Sequence, residues 1–411
     1  MKNARWKRTF ATIYAGQAFS ILGSAAVQFA IIWNLTARTE SAMTLTLATM
    51  VSFLPNMVLG PFAGVWIDRY NRRTVMMAAD GLVAISSGAL GAAFLLWGTP
   101  PVWFVYLILF VRGLGNTFHT PAMQAAIPMF VPADMLTKAG GWGNLIVSLS
   151  TMAGPALGAW LMAAFPIAAV MLVDIAGAAF AILCLLMIAL PDVPRRSEAV
   201  HMWPDLRQGF QAMRENKALA AVFWPVVLTS ILYLPLSSLF PLLVRVHYQG
   251  GAWHNAVVQL VFSAGLLLSS LVLGLWGSSK GRFRMVSAAI GAMGLLVCMS
   301  GLLPSEAFAV FVMCSFLMGG SGTFFDVPLM AHIQETVPPE MMGKVFSLLT
   351  TAMTLATPFG LLAAGPVSEM LGVQTWFAGS GLLMVILGAF CFLTTRKYNR
   401  PAEENRRASN E

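Results

Sequence analysis

The sequence predicts an all-α, polytopic membrane protein with twelve transmembrane helices in two six-helix bundles. Three observations predict it. Apolar runs of spanning length recur twelve times along the chain, its basic residues fall almost wholly on one side of the resulting zigzag, and its two halves resemble each other. Composition agrees: hydrophobic residues make up 58% and charged residues 10%, with a mean hydropathy of +0.74. That leaves too little polar surface for a soluble globule of this length.

The expected spans are residues 10–35, 43–66, 74–97, 102–121, 141–164, 167–190, 219–244, 256–277, 284–303, 307–327, 344–366 and 373–395. Each is close to the ~20 residues a helix needs to cross. The basic start followed by an apolar run imitates a secretory leader. Phe10–Leu35 is nevertheless long enough to span, and no separable mature domain follows, so it is expected to be the first helix. Of the 25 Lys and Arg residues, only Arg38 and Arg245 fall outside and Arg112 alone lies within a span. This bias puts both termini in the cytoplasm. The longest polar interruption divides an amino-terminal bundle (1–190) from a carboxy-terminal bundle (219–395) through a cytoplasmic linker (191–218), and a cytoplasmic tail (396–411) follows. Within the linker Leu206, Phe210, Met213 and Leu219 share one helical face, with Arg207, Arg214 and Lys217 available to water or lipid headgroups. An interfacial helix and a solvated linker helix both satisfy that pattern.

The halves match most visibly where Val131-Pro-Ala-Asp-Met-Leu-Thr-Lys138 recurs as Val337-Pro-Pro-Glu-Met-Met-Gly-Lys344. Just upstream, Gly113, Gly115, Phe118, Pro121 and Met123 align with Gly320, Gly322, Phe325, Pro328 and Met330 at one constant offset. Parallel repeats of this kind place a substrate path at the interface of two rocking bundles, near the bilayer midplane.

Several functions are excluded by chemistry that the chain lacks. Its net charge of +8 sits in short loops and tails, where it holds topology and meets anionic lipid, so no nucleic-acid partner is expected. Cys184, Cys298, Cys314 and Cys391 lie singly in apolar runs without metal-ligand spacing, and neither a metal nor a cofactor is expected. Gly343-Lys344 lacks the following hydroxyl residue of a phosphate loop, and Gly113-Leu-Gly115 lies inside a span, which rules out a dinucleotide turn. The chain therefore carries no ATP engine of its own, although a separate ATPase partner stays open. No nucleophile, metal cluster or acid pair suggests an enzyme.

Candidate functional residues fall into four sets. Gly64-Val-Trp-Ile-Asp68-Arg69-Tyr-Asn71-Arg72-Arg73 joins the second and third spans. Its glycine lets helices approach, and its acid can pair with guanidinium groups or a facing helix amino end, as a gate latch would. A merely topogenic loop explains the arginines but not Asp68. The second-half counterpart, Gly274-Leu-Trp-Gly-Ser278-Ser-Lys280-Gly-Arg282, lacks the acid. In the fifth span Gly154-Pro155-Ala-Leu-Gly158 can bend the helix and pack it closely, either for motion or for packing alone.

The third set is the ionisable residues within spans: Asp80, Arg112, Asp174 and Asp326. Each costs about 2.5–3.5 kcal/mol at a helix centre on insertion scales. Arg112, Asn116 and His119 recur at i, i+4 and i+7 and are expected to meet Asp80 across the first bundle. Burial favours a protonated carboxyl and a guanidinium opposes it, so separating Asp80 from Arg112 would change proton occupancy. A fixed ion pair is the alternative. Asp174 could hydrogen-bond near the outer interface, and Asp326 could bond the loop beneath it. The fourth set, Gln17, Ser24 and Gln28, forms a polar stripe on the first helix, suited to a water-filled path or to bonds between helices. Trp33, Phe53, Phe118, Tyr233, Phe240 and Phe262 could line an adaptable apolar cavity, or face core and lipid.

The Gly64–Arg73 loop resembles the cytoplasmic signature of the major facilitator superfamily, and Gly154–Gly158 resembles the signature associated with its antiporters. The chain as a whole is similar to the macrolide-efflux branch of the drug:proton antiporters. That likeness runs through Trp6-Lys-Arg8, Ala15-Gly-Gln17, Phe53-Leu-Pro55, Gly60-Pro61, Arg112 with Phe118-His-Thr-Pro121, Leu136-Thr-Lys138 and Gly343-Lys344-Val-Phe-Ser347. The resemblance implies the major facilitator fold, with Asp68 closing the cytoplasmic side against the start of the eleventh helix near Lys344. It implies secondary active efflux of macrolides or similar hydrophobic drugs by proton antiport and alternating access, in a bacterial inner membrane. The implied partners are a small hydrophobic substrate, protons and the lipid bilayer. Asn71 stands where the signature has glycine, Lys344 where the family often has arginine, and Asp326 is unusual. An exporter or importer of another small molecule, such as a metabolite or siderophore, would share the same gate motifs.

Overall fold

Twelve helices long and apolar enough to cross a membrane make up the computed structural model, which describes residues 2–188, 210–211, 213–214, 216–276, 281–337 and 339–398. They are α1 (Lys2–Thr39), α2 (Ala42–Arg69), α3 (Arg72–Trp97), α4 (Val102–Phe130) and α5 (Leu136–Ala164). A turn at Met171 divides α6 into Ile167–Val170 and Leu172–Leu186. The second half contains α7 (Lys217–Leu242), α8 (Ala252–Trp276), α9 (Arg282–Leu302), α10 (Phe308–Thr336), α11 (Pro339–Leu371) and α12 (Val373–Thr395). No strand occurs among the described residues. Leu96 and Met370 are 79% and 82% exposed, and many other large apolar side chains also face outward. Lipid is the solvent that suits such a surface, while the helices satisfy their own backbone groups.

The helix ends depart furthest from the sequence expectation where proline intervenes. Both α4 and α10, expected to stop at residues 121 and 327, run on to Phe130 and Thr336 with Pro121, Pro128 and Pro328 inside them. Each proline forfeits one amide donor, but neighbouring turns and helices absorb the break in a membrane bundle. α11 begins at Pro339, earlier than expected, and proline suits a first turn because its missing amide is not needed there. The expected linker lies largely outside the described residues, including Leu206 and Arg207. Of its apolar face, Met213 and Leu219 are buried and Phe210 is exposed.

Contacts divide the chain into two compact units. One comprises residues 1–40, 47–200 and 251–256, and the other residues 41–46, 201–250 and 257–411. In the first, α1 packs against α5 and α6, and α3 against α4 and α6. Its apolar core gathers Ile13, Tyr14, Ile67, Met76, Met123 and Leu185. In the second, α9 packs against α10 and α12, and α7 against α11 and α12, around Phe223, Val226, Val286, Ile290, Leu329 and Leu349.

Two details repeat between the units. Glu40, just beyond α1, and Gln249, past the π-helical turn Leu243–His247 that follows α7, take left-handed backbone angles (φ 48° and 52°), the only described non-glycine residues to do so. Small residues also bring the same helices together. A Cβ on Gly158 of α5 would stand 2.6 Å from the Ala26 carbonyl oxygen of α1, and one on Gly154 would collide with Ala25. In the second unit, a Cβ on Gly360 of α11 would collide with the Ile231 carbonyl of α7 and stand 2.9 Å from Pro235 Cγ. Such contacts replace the hydrophobic effect as the force joining helices in lipid.

Gly154→Val is therefore expected to overpack the α1–α5 contact by about 1–3 kcal/mol and lower the melting midpoint of the detergent-purified protein. Gly81→Ala on α3, where an added Cβ meets nothing within 4 Å, should leave the midpoint unchanged or raise it. Equal midpoints for the two variants would contradict the packing argument.

Candidate functional site

Burial of charge marks the site in the first unit. Arg112 of α4 is 3% exposed, Asp174 of α6 2% and Asp80 of α3 6%. Arg112 Nη1 forms an ion pair with Asp174 Oδ2 and donates to Ser87 Oγ at 2.5 Å. Ser87 in turn donates to Asp174 Oδ2 at 2.6 Å, and Ser24 donates to Oδ1 at 2.5 Å. The rest of the guanidinium reaches α1, through Nη2 to the Ser24 carbonyl at 3.2 Å and Nε to Gln28 Oε1 at 3.4 Å. One cation thus ties four helices, and both oxygens of its carboxylate partner accept further bonds. That is the condition under which a buried pair is tolerated.

Asp80 belongs to a separate layer. Gln17 Nε2 donates to its Oδ2 and Ser20 Oγ to its Oδ1, each at 3.2 Å, and His119 Nε2 lies 3.6 Å from Oδ1 without a hydrogen bond. The expected meeting of Asp80 with Arg112 is therefore corrected: Arg112 pairs with Asp174, and Asp80 faces His119. Helix geometry gives the reason. Asp80 and Ser87 are seven residues apart on α3, as are Arg112 and His119 on the neighbouring α4, and Gln17 and Ser24 on α1. Seven residues at 1.5 Å each set the two layers roughly 10 Å apart along the helices, too far for one pair to serve both.

Several other expectations can be placed. Gln17, Ser24 and Gln28 do share one face of α1, but all three spend their side chains on these charges. Asn116 is exposed and makes no hydrogen bond among the described residues. It is turned about 40° from Arg112 around α4, whereas His119 is turned only about 20° the other way. Asp174 is a full member of the site and not an interfacial cap. Ser20 and Ser87 were not singled out from the sequence, although each lies in register with a residue that was: Ser20 between Gln17 and Ser24, Ser87 two turns beyond Asp80. Behind α1, the Gly154–Gly158 segment, with Pro155 buried between its glycines, forms the close contact with Ala25 and Ala26.

The gate loop is fastened by its bases. Arg72 Nη1 donates to the Ala125 carbonyl of α4 at 2.8 Å, and Arg73 Nη2 to the Leu186 carbonyl at the end of α6 at 3.0 Å. Both complement the carbonyl-rich ends of helices. Asn71, with φ −63°, caps α3 by accepting from the Arg73 amide at 3.0 Å, so this turn has no need of glycine. Gly64 and Asp68 lie in the last turns of α2 and Arg69 ends it; the Asp68 side chain, Ser278 and Lys280 lie outside the described residues. In the second unit Arg282 pairs with Glu335 near the end of α10.

The second unit contains a cavity of about 210 Å³ lined by Tyr233, Leu236, Ser237, Phe240, Val258, Gln259, Phe262 and Ser263. Three of the expected cavity aromatics meet there. Of the others, Trp33 is 6% exposed in the core and Phe118 stacks on Trp66 at 5.7 Å. Asp326 of α10 is exposed, and among the described residues it makes neither a hydrogen bond nor an ion pair, to the loop beneath it or elsewhere.

The family model described as transmembrane secretion effector matches residues 5–411. Macrolide efflux protein A of Streptococcus pyogenes is 36% identical over 392 residues, covering 95% of this chain and 96% of that protein. The protein of the same name from Enterococcus faecalis is 35% identical over 323 residues, 78% of this chain and 99% of that one. Among solved structures, a crystal structure of the nucleoside transporter NupG superposes with a TM-score of 0.67 at 12% identity, over 94% of this chain and 98% of that one. This last likeness is one of fold alone.

The layered geometry makes the Arg112–Asp174 pair the more rigid element. Arg112→Met should destabilise the protein by about 3–5 kcal/mol, because it leaves Asp174 buried and uncompensated. Arg112→Met combined with Asp174→Leu should recover most of that loss. Melting midpoints of the two single variants and the double variant in detergent form the test, and additive losses would refute direct pairing.

Proposed function

This chain belongs to the transmembrane secretion effector family of major facilitator transporters, and we propose that it exports macrolides or similarly hydrophobic drugs in exchange for protons. The reading includes alternating access and a bacterial inner membrane with both termini in the cytoplasm, as the sidedness of the basic residues favours. As a multi-pass membrane protein of a transporter family, it acts by moving a solute across the bilayer.

The observation that carries proton exchange is the contrast between the two buried acids. Asp174 is held by a guanidinium and two hydroxyls. Asp80 has only an amide, a hydroxyl and an imidazole, none of them a permanent cation. Neither side chain of the Asp80–His119 pair is held by a permanent cation, so a proton can move onto or off the pair without leaving a fixed charge stranded. A proton on Asp80 weakens the charge-assisted bonds from Gln17 and Ser20, and with them the hold of α3 on α1. The close α1–α5 contact at Gly154 and Gly158 passes a shift of α1 to the helix behind it. The Arg112 layer meanwhile keeps the unit together.

Expression in a pump-deficient bacterium should lower macrolide accumulation, and collapsing the proton gradient should restore it. Equal accumulation in vector and expressing cells would defeat drug export and favour another small-molecule cargo. Asp80→Asn should abolish pH-driven efflux from vesicles while leaving downhill exchange of labelled drug intact. Undiminished pH-driven efflux in that variant would remove Asp80 from the proton path.

A further inference from the structure

Asp326 is an acid within the span Phe308–Thr336 to which the described residues offer no counter-charge. The internal repeat explains its isolation. At the offset that aligns Phe118 with Phe325, His119 corresponds to Asp326 and Arg112 to Gly319. At the offset that aligns the two gate loops, Gly64 with Gly274, Asp80 corresponds to Ile290, which is fully buried in the core of the second unit. The first unit thus sets an acid on α3 against an imidazole on α4. The second has moved the acid to α10 and put an apolar side chain opposite, with no base at either position.

A carboxylate in a span costs about 2.5–3.5 kcal/mol on insertion scales, and such residues face a bundle interior or a water-filled path, where something balances their charge. Tyr233 of α7 packs against the core cluster that contains Phe325, the neighbour of Asp326 on α10, and also stands in the wall of the 210 Å³ cavity. Leu236, Phe240, Val258 and Phe262 give that cavity its apolar lining, and Ser237, Gln259 and Ser263 its polar one. Phe240 is braced from behind by Phe311 and Phe377, with ring centroids 5.9 and 5.5 Å away. The Ser237 and Ser263 hydroxyls donate to carbonyls of their own helices, both at 2.9 Å. Gln259 lines the cavity with a side-chain amide that has no hydrogen-bond partner among the described residues.

We propose that the second unit recognises the ammonium group of a lipophilic amine. Asp326 supplies the counter-charge, Tyr233 an aromatic face and hydroxyl beside it, and the α7–α8 cavity takes the adjoining apolar part of the molecule. Gln259 hydrogen-bonds a hydroxyl or carbonyl of that part. The cavity is smaller than the roughly 300–1,000 Å³ of a drug-sized pocket, so it seats one end of a larger ligand. This assignment deepens the export reading and rests on it for the identity of the drug.

The test uses the full chain in lipid nanodiscs and two probes: the permanent cation tetraphenylphosphonium, which carries no exchangeable proton, and a macrolide amine compared with its N-acylated, uncharged form. Wild-type protein should bind the cation and prefer the amine to the acylated macrolide. Asp326→Asn should weaken binding of both cations about tenfold or more and leave the acylated macrolide unchanged. Asp326→Glu should restore much of the loss. Phe262→Ala should weaken all ligands together. Absence of phosphonium binding to the wild type would overturn the assignment, as would equal binding by wild type and Asp326→Asn, or equal losses for charged and uncharged macrolide. Asp326-dependent phosphonium binding in a protein that exports no macrolide would instead defeat the export reading and keep the site. Macrolide export by an Asp326→Asn variant that treats amine and acylated forms alike would do the reverse.

Discussion

A guanidinium buried at lipid depth must find its counter-charge inside the protein, and the first unit is organised around that requirement. Arg112 cannot shed its charge, so Asp174 is brought to it from α6, Ser87 from α3, and Ser24 and Gln28 from α1. Four helices are held in register by one side chain. Helix pairs in lipid gain little from apolar burial, so a polar cluster of this kind gives the unit much of its specificity of arrangement.

The same requirement explains why the second acid has no guanidinium beside it. With the guanidinium engaged one heptad away, Asp80 meets only neutral donors and an imidazole. The two layers are stacked on the same three helices, α1, α3 and α4, so the frame held by the paired charges also positions the layer around Asp80. The two units do not duplicate this arrangement: the repeat preserves helix order, left-handed turns and small-residue contacts, but the charges are redistributed between α3–α4 and α9–α10.

Much of the architecture was legible in the sequence because hydrophobic length is a one-dimensional signal. All twelve helices were found in order, and the two largest errors at their ends fell at prolines, where local chemistry suggests an end but the surrounding bundle sustains the helix, as at Pro121 and Pro328. The membership of the charge site was also largely visible, since Asp80, Arg112, His119 and Asp174 each break an apolar run. Their pairing was not. It depends on how far each helix slides past its neighbour, and no spacing within one helix reports that. Ser20 and Ser87 were overlooked for a related reason: a serine in a membrane helix can bond to its own backbone, as Ser86 does to Val83, so it announces nothing until its neighbours are known. Asn71 is the opposite case, a departure from a motif that a helix cap makes harmless.

The circumference of α1 leaves almost no surface uncommitted. One side holds the buried acids and arginine, a second lies against α5 at Ala25 and Ala26, and a third against α6, where a Cβ on Gly16 or Gly177 would meet backbone at 3.1 Å. Drift in this helix is accordingly confined: a larger side chain at Gly16 would press on α6, and loss of Gln17, Ser24 or Gln28 would leave a buried charge short of a partner.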